Sequence, residues 1–567
     1  MGAVTAQSKP THGDEDAVVV EPQTRAEATG YLETSHYEDV IAFLEEIEPR
    51  DSLSLQYIGE SPEGRPIPLV IAARPLPTDA AEARRSGKPI VCIQANIHAG
   101  EVEGKEAALM LLRDLTQEEP AKEASTQADP TLDILDQVIL LVLPIYNIDG
   151  NEQFGPQSRN RSHQMGPESV GVRSNGQGLD LNRDYVKLDA LETQAAVREI
   201  FNVWRPDVFV DLHATNGTLH GYHLTYAPPL HPDTDPQIAA YARDELLAET
   251  RQEMRGRHGM ETFDYGDTPR WSFADEPYAW YGAGAGGRYG VNYMGLRNCV
   301  AILSEAMSHR PFDERVEATY HFVSLILEKV ADDADRLTRI TRGADERMRN
   351  LASSNVEIPQ LSVRFERASR GLDIVLIDRM ETPELRDRKP ADRPPGPPED
   401  LVELEVEVYD RFQTVRTRRL PSAYLLGPEL EVIDADATIQ GSAGIMGRTI
   451  IKGGVGIKRI VSLLRTHGIA VETTTEPWSG QVDQFIIESR EQRDEPYQGH
   501  NLITLEGHYE TQDMELPVGS FVVRTDQPLS ALIFHILEPE SLDGVAAWDL
   551  LDASLEPGEP YPIVKQY

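Results

Sequence analysis

Short continuous apolar runs alternate with helix-length segments through the first 340 residues, and few folds accept that pattern. The runs cover residues 90–97, 138–144, 208–212 and 299–303 and are rich in Val, Ile and Leu. Between them, helical segments are predicted at 104–115, 190–204, 238–256 and 315–339. A strand that is apolar at every position has no solvent face, so both of its sides must be covered. Such strands alternating with helices predict an α/β domain with a largely parallel, doubly covered sheet. Ahead of it, an amphipathic helix is expected from about Thr34, with Val40, Phe43 and Leu44 on one side. Residues 53–71 read as two strands around the turn Glu60-Ser61-Pro62-Glu63-Gly64.

After about residue 345 the texture changes. Alternating strands are expected at 356–367, 374–377, 401–409 and 412–420, then around 485–487, 521–524 and 532–537, with one helix at 457–466. Residues 380–399 hold six prolines and many charges, which predicts an exposed loop. The resulting expectation is a flexible tail at 1–25, a catalytic domain at 26–340 and a smaller, β-rich α+β domain at 345–567.

The formal charge of −40 argues against binding nucleic acid or anionic membranes through the general surface. No run of about 18 apolar residues is present, so no transmembrane helix is expected. The first 25 residues show no basic start and no apolar core. A cytoplasmic location is therefore the default expectation, with export the alternative if a signal has been cut away. Two cysteines in 567 residues are no disulfide framework. Cys92 and Cys299 are expected as reduced, buried thiols, close neighbours in the sheet.

The chemistry concentrates where strands end. The run at 90–97 leads into His98-Ala99-Gly100-Glu101, and the run at 208–212 ends on His213. In an α/β sheet the carboxyl ends of neighbouring strands face one crevice. His98, Glu101 and His213 can therefore meet there, and two His with one Glu form a catalytic zinc set. The run at 299–303 continues into Ser304-Glu305, which aims a carboxylate at the same crevice. Residues 178–185 carry Asp180, Asn182 and Arg183, and 158–162 carry Arg159 and Arg161. A guanidinium fork suits a carboxylate ligand. Between 155 and 187 the cations Arg159, Arg161, Arg173, Arg183 and Lys187 outnumber Glu168, Asp180 and Asp184, so the acid excess lies elsewhere. Further histidines (His163, His220, His223, His231, His309) match no ligand spacing and are expected in packing or exposed roles.

In this order the pieces resemble the zinc metallocarboxypeptidase family of the carboxypeptidase A/B type, over about residues 30–335. The tail (527–562) is similar to that of long bacterial members. The resemblance implies a three-layer α/β/α fold with a mixed eight-stranded sheet and one Zn2+ per chain, held by His98, Glu101 and His213. It implies Glu305 as general base, Arg161 as oxyanion stabiliser in competition with Arg159 and Arg173, and Asn182 with Arg183 as the clamp on a C-terminal carboxylate. Asp180 would stand behind the first zinc histidine, or merely form a turn. Tyr281 is the best match to the tyrosine that closes over substrate, with Tyr289 and Tyr293 as rivals. An inward Arg288 would favour an acidic side chain; an outward one would imply nothing. The implied activity is hydrolysis of a peptide bond next to a free C-terminal carboxylate by zinc-activated water. The alternatives are a zinc amidohydrolase acting on N-acyl amino acids or peptidoglycan stem peptides, and a non-catalytic peptide-binding protein.

Overall fold

The structure, a computed structural model, describes residues 21–117, 134–215, 217–269, 276–351, 359–385, 397–428, 449–450, 456–551 and 555–567. The expected tail lies outside these residues up to position 20. Within 21–25, Thr24 caps the short helix α1 (Arg25–Ala28) and Glu21 pairs with Arg50. Residues 386–396 of the proline-rich loop also lie outside them.

Eight strands make one mixed sheet: β1 (Leu53–Glu60), β2 (Pro66–Ala72), β3 (Ile90–Ala95), β4 (Ile139–Leu143), β5 (Val208–Ala214), β6 (Leu224–Ala227), β7 (Thr262–Asp264) and β8 (Val300–Ala306). Their order across the sheet is β1-β2-β4-β3-β5-β8-β6-β7. The four central strands β4, β3, β5 and β8 run parallel, and each is buried at every position. That burial is what their continuous apolar runs demand.

Side-chain alternation shows how both faces are covered. Leu212 points at helix α2 (Glu103–Thr116), where a Cβ on Gly104 would stand 2.7 Å from Leu212 Cβ. Only glycine allows the helix so close. Phe209, an odd number of residues away, points the other way and meets Phe201 edge-on. Phe201 in turn meets Tyr293 of the helix Gly290–Leu296. On the α2 side, helices α3 (Leu247–His258) and α4 (Phe312–Asp332) complete the layer.

Helix α5 (Ala334–Leu351) leads to a β-rich region. It contains β9 (Gln360–Ala368), β10 (Leu372–Asp378), β11 (Leu401–Tyr409), β12 (Arg411–Arg419), β13 (Ala423–Leu426), β14 (Trp478–Gln492), β15 (Ile503–Leu516), β16 (Phe521–Arg524) and β17 (Ile563–Gln566). The order β15-β14-β17-β13-β16, with a two-residue strand at each edge, gives a seven-stranded sheet. Helices α6 (Ile457–Thr466) and α7 (Ser530–Leu537) pack with it. This region is not loosely tethered. One hydrophobic cluster runs from Val40 to Ile563, and Trp280–Tyr281 pairs with β11.

Two expectations are corrected. Residues 532–537 form part of helix α7, not a strand. All eight residues of α7 are buried, so no apolar periodicity was there to separate helix from strand. Cys92 and Cys299 are buried free thiols, but β5 separates β3 from β8, so they are not sheet neighbours.

Candidate active site

The site is built on the carboxyl ends of β3, β5 and β8. Asn96 follows β3 in the left-handed region (φ +63°), a conformation its short amide side chain tolerates. Its Nδ2 donates to the carbonyls of Ala99 and Glu101, which holds the turn carrying His98 and Glu101. Gly100 is also obligatory, because a Cβ there would come within 2.7 Å of Arg161. Glu305 lies directly across the sheet from His213 in the β5–β8 register.

His98 Nδ1 lies 3.1 Å from Glu101 Oε1, and His213 Nδ1 lies 3.0 Å from Glu101 Oε2. The two Nδ1 atoms are 3.1 Å apart. On the far side of each ring stands a carboxylate. Asp180 Oδ1 is 3.1 Å from His98 Nε2, and Asp211 Oδ2 is 3.0 Å from His213 Nε2. Asn182 Nδ2 also approaches His213 Nε2, at a longer 3.3 Å. A carboxylate beside each Nε2 favours the tautomer protonated there, which turns an Nδ1 lone pair inward. Two lone pairs and a carboxylate aimed at one point repel one another unless a cation stands between them. The donor set therefore fits a zinc ion. Sequence reasoning missed Asp211, although its place two residues before His213 on one strand puts both on the same face.

Burial pushes Glu101 up, but His98, Arg161 and the imidazole contacts outweigh it and hold its carboxyl well below the usual range. Burial likewise pushes Asp180 up, and His98 and Arg173 bring it far down. Glu305 differs: burial dominates and lifts it to about 8, against the pull of His213.

These groups open on a cavity of about 340 Å³. His98, Glu101, His213 and Glu305 line it, and so do Asn182 and Arg183. Asn182 Oδ1 accepts the Gly290 N–H at 2.9 Å, and Arg183 Nη1 donates to the Asn182 carbonyl at 2.6 Å. Tyr281 lines the cavity, with its hydroxyl donating to the Pro277 carbonyl at 2.8 Å; Tyr265 and Tyr289 line it too. Tyr293 instead lies buried against His467, with its oxygen 2.8 Å from Nδ1 of that ring.

Arg161 does not reach the cavity. Its Nη1 donates to Glu101 at 2.7 Å, its Nε to Gln164, and its Nη2 to the Ala214 and Thr215 carbonyls. It buttresses Glu101 from behind, which corrects the expectation that it meets an oxyanion. Arg173 does line the cavity, held by Asp180 at 3.0 Å. Arg288 points away: it pairs with Asp543 at 2.5 Å and covers Trp548.

Among the described residues, one other group of His and carboxylate comes close enough for a metal: His231, Asp233 and His535. Here His231 Nδ1 already accepts the Asp233 N–H at 3.1 Å. Its Nε2 is then protonated and offers no lone pair. The expected packing role of His231 agrees with that geometry.

Residues 40–293 match the family model described as Zinc carboxypeptidase, Peptidase_M14. Carboxypeptidase 2 of Trichophyton tonsurans is 24% identical over 531 residues, covering 89% of this chain and 81% of that protein. Carboxypeptidase D of Mus musculus is 28% identical over 195 residues, 32% of this chain and 13% of that protein. A metallo-carboxypeptidase structure from Burkholderia cenocepacia is 18% identical, with a TM-score of 0.38, and covers 53% of this chain and 70% of that one. A metallo-carboxypeptidase from Pseudomonas aeruginosa in complex with (2-guanidinoethylmercapto)succinic acid gives 18%, 0.38, 54% and 70%. The His98–Glu101–His213 constellation lies inside the matched segment, and residues 40–293 form a zinc carboxypeptidase domain.

Proposed function

We propose that this chain is a zinc-dependent carboxypeptidase with one zinc per chain, hydrolysing the peptide bond next to a free C-terminal carboxylate. The observation that carries the reading is one cavity shared by a two-His, one-Glu donor set, a separate carboxylate, and an Asn-Arg pair. Zinc held by His98, Glu101 and His213 would supply a Lewis acid for the scissile carbonyl and make water a better nucleophile. Glu305 takes a proton from the attacking water and delivers it to the leaving amine nitrogen. Asn182 and Arg183 bind the terminal carboxylate of the substrate. Arg173, not Arg161, stabilises the oxyanion, because it is the one exposed to the cavity.

The cavity lining includes the apolar Ala227, Leu230, Val291 and Leu303, together with Asp267 and Arg367. Leu303 shares a strand face with Glu305 and sits opposite Ala227 in register. Arg288 is turned toward Asp543, and we infer that the apolar part of the lining receives an apolar C-terminal side chain. The test is a panel of N-blocked peptides that differ only in the last residue, read by release of the free amino acid. Release from apolar-ended peptides supports the reading. Activity confined to acyl amino acids or cell-wall fragments would replace it with an amidohydrolase.

A further inference from the structure

The hairpin β14–β15 ends in Tyr497-Gln498-Gly499-His500. Gln498 and Gly499 both have positive φ (+51° and +82°), and Tyr497 pairs with His500 across them. This is the two-residue turn that fits the natural twist of a hairpin. Such a tip ordinarily projects into solvent. Here it rests on residues 180–189, the segment that carries the clamp. Arg183 Nε donates to the Tyr497 hydroxyl at 3.0 Å. The Asp180 backbone N–H donates to Gln498 Oε1 at 2.8 Å. His500 Nε2 lies 2.6 Å from Asp189 Oδ2.

The tip is itself braced. Tyr497 stacks on Trp548 with centroids 6.1 Å apart and planes 20° apart, and Arg288 covers both rings under the hold of Asp543. Arg183 is thereby fixed on three sides: Asn182 carbonyl at Nη1, Tyr497 at Nε, and the Tyr289 ring 4.6 Å from its guanidinium carbon. A free arginine has many rotamers to give up on binding; a braced one has few.

We propose that the hairpin tip of the β-rich region is a working part of the substrate site, with Tyr497 as the positioning residue that holds Arg183 ready for the substrate's terminal carboxylate. This rests on the reading of Arg183 as the clamp. On that basis the β-rich region is not a passive appendage, because the first 351 residues alone leave the clamp unbraced on its Nε side.

The test compares wild type, Tyr497→Phe, Arg183→Ala and the double variant, all in the full chain, on one N-blocked peptide. Arg183→Ala should raise KM about a hundredfold, and Tyr497→Phe about tenfold, the size of one hydrogen bond to a charged group. For Tyr497→Phe, kcat should stay within about twofold and zinc content should be unchanged. On the Arg183→Ala background the second change should add less than about twofold, since coupled partners are not additive. A second readout removes any ambiguity from folding. Inhibition by a free amino acid product should weaken about tenfold in Tyr497→Phe, while inhibition by its amide should not move. A wild-type KM for Tyr497→Phe, or equal weakening for acid and amide, would overturn the positioning role. A wild-type KM for Arg183→Ala would instead overturn the clamp reading itself.

Discussion

Among the described residues, two clusters hold two histidines and a carboxylate within reach of a single ion, and the hydrogen bonds around them differ. In His98–Glu101–His213, each ring is backed by a carboxylate, Asp180 or Asp211, so the Nδ1 lone pairs converge on Glu101. In His231–Asp233–His535, one ring spends its Nδ1 on a backbone N–H. The carboxylate is likewise engaged by Ser362 and by His535 at 2.8 Å. The residue types nearly match; the hydrogen bonds one step further out differ. Those outer partners decide whether such a group binds a metal or braces two parts of the fold.

The largest expected effect separates the clusters outright. His98→Ala or Glu101→Gln should remove the zinc and lower activity by at least about 10⁴-fold. His535→Ala should leave one zinc per chain, as metal analysis of the purified protein would read. Next in size, Arg173→Ala should cut kcat by about 10²- to 10³-fold with zinc retained, the loss seen when one oxyanion donor is removed. Arg161→Ala should act differently, through Glu101 and hence through metal affinity. Asp211→Asn should weaken zinc binding about 10- to 100-fold in competition with a chelator.

The smallest effect lies in the second cluster and is one of stability. Burial pushes the Asp233 carboxyl up, but its bond to His535 and its other partners outweigh that and hold it below its ordinary value. A depressed carboxyl contributes stability above its unfolded pKa of about 4 and loses it as pH falls through the folded value. Asp233→Asn should therefore cost about 1–3 kcal/mol in denaturant melts at pH 7 and progressively less in acid.

The strand-end residues were legible because the runs before them are apolar without interruption. A buried strand has one way to end, and His98, His213 and Glu305 each sit where it does. The central strands β3, β4, β5 and β8 were legible for the same reason. Three things were not. Whether Arg161 or Arg173 faces the cavity depends on how a long loop folds back on Glu101, and both lie in similar polar sequence. The helix at 530–537 gives no sign of its type, because burial on all sides erases periodicity. The contact of Tyr497 with Arg183 joins residues more than 300 positions apart through a hairpin whose second strand, β15, had no marked pattern. Local spacing carries chemistry that one turn assembles; it cannot carry chemistry assembled by docking.

In the proposed reaction Glu305 serves the hydrolysis of a C-terminal peptide bond in a cavity that holds zinc. Its most direct measurement is the release of the terminal amino acid from an N-blocked peptide by wild type and Glu305→Gln, with zinc assayed on both proteins. One zinc is expected in each protein, with a loss of at least about 10³-fold in kcat for the variant. Turnover near the wild-type rate in a variant that keeps its zinc would contradict it.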